Sequence, residues 1–270
     1  MTAIVVPVFN APAQTARCLQ SIEQTVDANQ PVVVIDDASD DPTVTPLLER
    51  LPAYWVLIRN SVNLGFVATA NLGMVLAGTE DVILLNADTV VTTGWLAAIE
   101  ACAASDERIA SITPLTNNGE IASIPQSCQA GPMPENPERW AEACRRAGSP
   151  VYQEVPTAVG FCMFLRRACL DQIGLFDEAV FGRGYGEEND WCMRALKAGW
   201  RHVLCDQAYV AHEGNASFGP LGIKPNGEAM DRLLARHPDY LERINPFIEN
   251  DPLAERRLAI WRCYQELGGR

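Results

Sequence analysis

The chain has 270 residues, 48% hydrophobic and 20% charged, which suffices for a sizeable core in one large domain or a domain with an appendage. Its formal net charge of -13 argues against non-specific binding to nucleic acid, which draws affinity from Lys and Arg contacts to phosphate. A nucleotide ligand stays open, because a few local groups or one divalent cation can neutralise a diphosphate.

Nine cysteines are scattered through the chain with no C-x-x-C pair, several of them inside apolar runs. That pattern reads as reduced, buried thiols of a cytosolic protein. Met1-Thr2-Ala3-Ile4 leads straight into a strand-like run without a basic leader, and no apolar run is long enough to span a bilayer. The expected location is the cytoplasm, with the inner face of the membrane as a variant of it.

Ile4-Val5-Val6-Pro7-Val8-Phe9 reads as a buried strand ending at Asn10. Residues 13–26 place Ala16, Leu19 and Ile22 at helical spacing, and a second run, Val32-Val33-Val34-Ile35, ends in Asp36-Asp37. Asp41 and Pro42 suit the N-cap and first position of a helix through Leu47, Leu48 and Leu51. A third run, Tyr54-Trp55-Val56-Leu57-Ile58, leads through Asn63-Leu64-Gly65-Phe66 into a helix over 67–77. The fourth run, Val82-Ile83-Leu84-Leu85, stops at Asn86-Ala87-Asp88. Thr92 or Thr93 can cap a helix through Trp95, Leu96 and Ile99, and residues 109–113 close the series. Strand and helix alternate with short connections, which predicts an α/β fold with a mostly parallel, twisted sheet flanked by helices.

The pattern fades over 114–156, a stretch with Asn117-Asn118-Gly119, several prolines and one helix over 137–147. It reads as an irregular insertion that carries specificity. A strand is expected over 159–166, then a glycine-rich turn from Gly182 to Gly186 and a helix from Glu187 to a terminating Gly199. Residues 203–205 and 209–211 are two short strands, the second ending at His212. From about residue 226 two or three helices follow, broken at Pro238, Pro246 and Pro252.

Ligands of parallel sheets bind beyond the carboxyl ends of the strands, where Asn86 and Asp88 stand. Side chains alternate along an extended backbone, so the two point the same way. Asp88 can ligate Mg2+ or Mn2+ with phosphate oxygens completing the shell, while Asn86 hydrogen-bonds a sugar hydroxyl. Turn formation at a strand end is the plainer explanation. Of Asp36 and Asp37, adjacent and so on opposite faces, at most one meets a given ligand. Three carboxylates, Glu187, Glu188 and Asp190, fall in the first turn of a helix, where the macrodipole favours negative charge. The glycines before them are what the dipole leaves unexplained; such a turn lets a carboxylate project into a cleft as a general base. His212 is either a packed strand-end residue or a metal ligand.

In this order the motifs resemble the family 2 inverting glycosyltransferases of the GT-A fold, those of bacterial polysaccharide synthesis and rhamnosyl transfer included. The resemblance runs over residues 3–216, about four-fifths of the chain. It rests on Val6-Pro7-Val8-Phe9-Asn10, Val34-Ile35-Asp36-Asp37-Ala38-Ser39, Asn63-Leu64-Gly65-Phe66 through Asn71, Leu84-Leu85-Asn86-Ala87-Asp88, Gly160-Phe161-Cys162-Met163, and Gly186 through Asp190 with Arg194. It implies that Pro7, Phe9 and Asn10 line a nucleotide pocket, that Asp37 reads the base, and that Asn63, Gly65, Asn71, Asn86 and Ala87 help to bind the nucleotide sugar. Asp88 and His212 would hold Mn2+ or Mg2+, and Glu188 would be the general base. Glu187, Asp190 and Trp191 fall on the acceptor side, and either acid can share the base role. Two positions depart from the common pattern: Asn86 replaces the first aspartate of D-x-D, and Glu188 stands where aspartate is usual.

The implied reaction moves a hexosyl or rhamnosyl group from a nucleoside-diphosphate sugar to the hydroxyl of a glycan or lipid-linked glycan. The alternative is a catalytically weak domain of the same fold that binds nucleotide sugars or organises a multidomain complex. A nucleotidyltransferase would carry a Gly- and Arg-rich loop after the first strand, and a dinucleotide oxidoreductase a G-x-G-x-x-G there; neither is present. The expected division is 1–113 for the nucleotide-sugar half, 114–220 for the acceptor half and 221–270 for a helical extension. Leu253, Ile260, Trp261 and Tyr264 lie at helical spacing beside Arg256, Arg257 and Arg262, so that segment either packs on the catalytic domain, the favoured reading, or rests on a membrane surface. The ending Gly268-Gly269-Arg270 is compatible with one piece of a longer polypeptide.

Overall fold

The computed structural model describes residues 1–214 and 227–269. The first half alternates as expected: β1 (Thr2–Val8), α1 (Pro12–Thr25), β2 (Val32–Asp36), α2 (Val44–Leu48), β3 (Val56–Arg59), α3 (Phe66–Leu76) and β4 (Asp81–Leu85). There follow β5 (Thr89–Val91), α4 (Trp95–Ser105), β6 (Ile109–Leu115), α5 (Pro137–Arg146), β7 (Glu154–Val155), β8 (Cys162–Leu165), α6 (Arg167–Ile173) and α7 (Glu178–Phe181). The chain closes with α8 (Glu187–Lys197), β9 (Arg201–His212), α9 (Gly227–Arg236), α10 (Tyr240–Asn250) and α11 (Ala254–Glu266).

Among the described residues the strands form one nine-stranded sheet in the order β3-β2-β1-β4-β8-β6-β9-β5, with β7 on β9. The run from β3 to β4 is parallel, as its continuous apolar strands predict. Beyond β4 the sheet is mixed: β8 enters antiparallel between β4 and β6, placing Phe164 between Ile83 and Ile112, while β6 and β9 pair in parallel. A strand buried on both faces reads the same in either direction, so periodicity could not reveal this reversal.

The main core is built on Ile4, Val5, Val6, Val34, Ile83 and Phe164, all fully buried. Each such aliphatic side chain contributes about 1.5–3 kcal/mol relative to exposure. Helix α3 lies close on the sheet because Gly73 faces β1; a Cβ there would stand 2.1 Å from Val5 Cγ1.

Several local expectations shift. Asp41 accepts from the backbone and hydroxyl of Thr43, and the helix starts only at Val44. Gly94, not a threonine, is the residue before α4. The two short strands after Gly199 are one twelve-residue strand, β9, with an irregularity in its pairing to β6. Pro246 lies inside α10 rather than ending it.

The expected boundary between residues 220 and 221 lies outside the described residues. Leu233, Tyr240 and Ile244 of α9 and α10 join the main core. Ile260 and Tyr264 of α11 join a second core with α5 and β9, where Tyr264 stacks on Trp140 at 3.7 Å between ring centroids. Two of the arginines of α11 turn inward: Arg257 donates to the carbonyls of Ser123 and Ile121, and Arg256 pairs with the buried Asp206 at 2.6 Å. Packing on the domain is therefore what that helix does. No helix among the described residues is long and apolar enough to cross a membrane.

Candidate active site

The parallel strands β1, β2 and β4 run in register, Val8 beside Asp36 and Val5 beside Leu84, so their carboxyl ends open on one side. A cavity of about 930 Å³ lies there. Its wall includes Pro7, Phe9, Asp37, Asn63, Gly65, Asn86, Ala87, Asp88, Glu187, Glu188 and His212, eleven positions from six separate stretches of chain.

Asp37 is the member of the acidic pair that reaches the cavity, while Asp36 turns back to accept from the Ser39 N–H at 3.0 Å. Asp37 is held by three donors: Asn60 Nδ2 and the Leu64 N–H on Oδ1, and the Gly65 N–H on Oδ2, each at 2.8 Å. A carboxylate has about four acceptor positions, so capacity remains on Oδ2 for an N–H of a ligand. Asn63 bridges two parts of this rim, donating to the Asp37 carbonyl at 3.1 Å and accepting from Arg183.

The geometry around His212 is more specific. Strand β5 pairs antiparallel with β9, Thr89 opposite His212, which sets Asp88 beside the imidazole from the far end of the chain. The ring stacks on Phe161, centroids 5.2 Å apart. Its Nδ1 lies 2.6 Å from the Asn118 carbonyl oxygen, which only accepts, so Nδ1 carries a hydrogen. Its Nε2 lies 3.4 Å from Oδ1 of Asp88. In neutral histidine two lone pairs therefore face each other, and either a proton or a cation belongs between them. Burial opposes a charged ring, but the hydrogen bond and charge of Asp88 outweigh it and raise the pKa above the usual value. One carboxylate oxygen and one neutral imidazole nitrogen, its tautomer fixed by a carbonyl, form a donor set that suits Mn2+. No group of three or more His, Cys, Asp or Glu among the described residues is placed to hold a metal ion, so oxygens of a bound diphosphate would have to complete a shell. The residues fit such an ion. Asn86 adds a buried Oδ1 without a hydrogen-bond partner among the described residues, a polar atom that a ligand hydroxyl can satisfy.

Glu187 and Glu188 open α8 behind Gly186, whose φ of 93° and a would-be Cβ only 3.0 Å from the Phe181 ring leave room for glycine alone. Burial raises the pKa of both carboxyls, and the charge of Glu188 pushes Glu187 up further. The two coupled carboxyls therefore resist being ionised together.

Four predicted positions stand elsewhere. The Asn10 side chain ties the end of β1 to the loop after β2, accepting from the N–H of Asp40 and Asp41 and donating to Asp40 Oδ1 at 2.7 Å. Asn71 pairs with both backbone groups of Phe176. Asp190 is fully buried and takes Arg194 Nε at 2.8 Å, Arg236 Nε at 2.9 Å and His237 Nε2 at 2.8 Å. Trp191 is core, its indole donating to the Gly174 carbonyl at 3.0 Å. The helical repeat explains Asp190. Successive residues turn by about 100°, so with Glu188 toward the cavity Asp190 points the other way.

Other residues of the cavity were given no role by the sequence. Asn118, Thr157, Arg183, Tyr185, Asn189 and Tyr240 line it. Asn117 grips both backbone groups of His212 at 2.8 Å, Nδ2 to the carbonyl and Oδ1 from the N–H. The visible signals for these were the Asn117-Asn118-Gly119 turn, the glycine-rich turn around Arg183 and Tyr185, and the acidic stretch that contains Asn189.

A mixed α/β sheet with a polar cleft on the carboxyl edge of its parallel half, an Asp–His pair in that cleft and a raised carboxyl pair opening a helix into it define a class of GT-A architecture. Residues 3–174 match the sequence profile of "Glycosyl transferase family 2", and the chain belongs to that family; it is a glycosyltransferase. It is 27% identical over 241 residues, 80% of this chain and 77% of the relative, to the N-acetylglucosaminyl-diphospho-decaprenol L-rhamnosyltransferase of Mycobacterium tuberculosis. It is 26% identical over 224 residues, with the same coverage, to the uncharacterized protein Rv1525 of that organism. Among solved structures it superposes on GalNAc-T7 with UDP, GalNAc and Mn2+ at a TM-score of 0.63 and 16% identity, covering 90% of this chain and 51% of that one, about half its length. A mannosyltransferase of Pyrobaculum calidifontis in complex with GDP-Man and Mn2+ superposes at 0.59 and 17% identity, covering 96% and 68%. At such identities the structural likeness establishes the GT-A fold.

Proposed function

We propose that this glycosyltransferase is metal-dependent and inverting, and that it moves a rhamnosyl or hexosyl group from a nucleoside-diphosphate sugar to a hydroxyl of a lipid-linked glycan in surface-glycan synthesis. The observation that carries the reading is the facing pair Asp88 and His212 on the same cavity wall as Glu188. Glu188 takes the acceptor proton as the hydroxyl oxygen attacks the anomeric carbon from the side opposite the diphosphate, which inverts the configuration. Asn86 accepts from a donor hydroxyl, Asp37 accepts an N–H of the base through Oδ2, and Pro7 and Phe9 wall the nucleotide. Asp88 and His212 would hold Mn2+ or Mg2+, which would supply Lewis-acid neutralisation of charge on the diphosphate.

The acceptor class is supported from two sides. A relative's name specifies a diphospho-decaprenol acceptor. Here the cavity extends to the partly exposed apolar side chains Met230, Leu241 and Ile248 of α9 and α10, a surface suited to the apolar part of such a substrate. The division we favour keeps the nucleotide half at 1–113 and the acceptor half from 114 onward, with α9 and α10 contributing to the latter.

The test is hydrolysis of a panel of nucleotide sugars (dTDP-rhamnose, UDP-glucose, UDP-N-acetylglucosamine, GDP-mannose) with Mn2+ and with EDTA. Release of nucleoside diphosphate from one donor, lost in EDTA, is the expected result. Binding of a donor without turnover under any condition would favour the non-catalytic alternative.

A further inference from the structure

Two consecutive residues in the first turn of α8, Asn189 and Asp190, are tied to the C-terminal helices. Glu188 faces the cavity. Asn189, next in sequence, donates from Nδ2 to Glu188 Oε1 at 3.1 Å. Its Oδ1 accepts two hydroxyls, from Thr157 at 2.8 Å and from Tyr240 of α10 at 3.0 Å. The amide orientation follows from these partners. The atom facing an ionised carboxylate must be the NH2, and two hydroxyl donors converge on the other. Asp190, the third residue, holds His237 and Arg236, and the Tyr240 N–H in turn donates to the His237 carbonyl at 3.0 Å. The buried ion cluster thus anchors the start of α10 on α8, and Tyr240, 7% exposed, delivers its hydroxyl to Asn189 from that anchor.

Glu188 Oε2 has no hydrogen-bond partner among the described residues and is buried within the cavity wall. We infer that Asn189 and Tyr240 are positioning residues for Glu188: together with Thr157 they pin Oε1, fix the carboxylate rotamer and leave Oε2 as the oxygen that receives the acceptor proton. This rests on the reading of Glu188 as the base. It makes the C-terminal helices part of the catalytic apparatus, although the matched family segment ends at residue 174. Neither Asn189 nor Tyr240 touches the reacting atoms in this account; each acts through Glu188.

The experiment is a titration of the Glu188 side-chain carboxyl by 13C NMR, its resonance identified by its loss in Glu188→Gln, in wild type, Tyr240→Phe, Asn189→Ala and the double variant. The other titratable groups near Glu188 are Glu187 and Cys192 on α8, Tyr185 in the turn before it and Tyr240 itself; of these only Tyr240 is altered. An amide donor favours the ionised carboxylate, so its loss raises the midpoint. The expected rise is about one pH unit for Asn189→Ala, equivalent to a tenfold loss of preference for the charged form. Tyr240→Phe keeps the packed ring and should give about half that rise. Because Tyr240 works through Asn189, the double variant should match Asn189→Ala alone. An unmoved midpoint in Tyr240→Phe, or additive shifts in the double variant, overturns the inference. Thr157→Val replaces Asn189→Ala if the latter does not fold, with a rise again expected and an unmoved midpoint again overturning it. Failure of the underlying reading is separate: near-normal donor hydrolysis by Glu188→Gln refutes the base whatever the titration gives.

Discussion

His212 Nε2 and Asp88 Oδ1 face each other at 3.4 Å while the opposite ring nitrogen donates to the Asn118 carbonyl. In the neutral ring both facing atoms are acceptors. On our account the gap is a cation site, with the turn before β5 supplying Asp88 and the end of β9 supplying His212.

Asp88→Ala and His212→Ala should each abolish the gain in UDP or dTDP affinity that Mn2+ confers. Calorimetry with and without Mn2+ checks this; an unchanged metal-dependent gain in either variant speaks against the pair.

Asn117→Ala tests the support of that pair. The side chain clamps both backbone groups of His212, and loss of such outer partners typically weakens metal binding about 10–100-fold. Mn2+ titration followed by EPR in the presence of UDP reads the change, and a wild-type affinity would show the clamp to be dispensable.

Asp190→Ala should fail through the fold rather than the chemistry. It leaves Arg194, Arg236 and His237 around an emptied buried position, and breaking a buried pair in this way costs about 3–5 kcal/mol. Urea unfolding checks the loss. A variant of normal stability with abolished turnover would return Asp190 to the reaction.

Stability should also respond to pH through Glu187. Burial, then the charge of Glu188, holds its folded pKa well above the ordinary glutamate value. A raised folded pKa stabilises the native state below the unfolded pKa, and that contribution is lost as pH rises through the folded value. Wild-type Tm should therefore fall more steeply than that of Glu187→Gln as pH rises above the ordinary glutamate range. Parallel curves would place the proton elsewhere.

Much of this was legible in the chain because the relevant groups sit at the ends of apolar runs. Asp37, Asn86 and Asp88 end β2 and β4, and buried parallel strands announce themselves by composition alone. His212 was legible for the same reason at the end of β9. What escaped depends on pairings across the sequence: Asn117 meets His212 95 residues away, and Tyr240 meets Asn189 51 residues away. The first turn of α8 shows the limit most clearly. Its acids are equivalent to the helix dipole, and only the rotation of the helix separates Glu188 in the cleft from Asp190 in the ion cluster. Asn10 and Asn71 belong to matching motifs, yet their amides are spent on holding the loops around the cavity, Asn10 on Asp40 and Asp41 and Asn71 on the Phe176 backbone.

The most direct measurement is turnover by Glu188→Gln. With the donor that the wild-type protein hydrolyses in Mn2+, the variant should bind the nucleotide sugar with unchanged affinity while its rate falls by about 10²-fold or more, the usual share of a general base. Near-normal turnover by a folded Glu188→Gln protein would contradict the account at its centre.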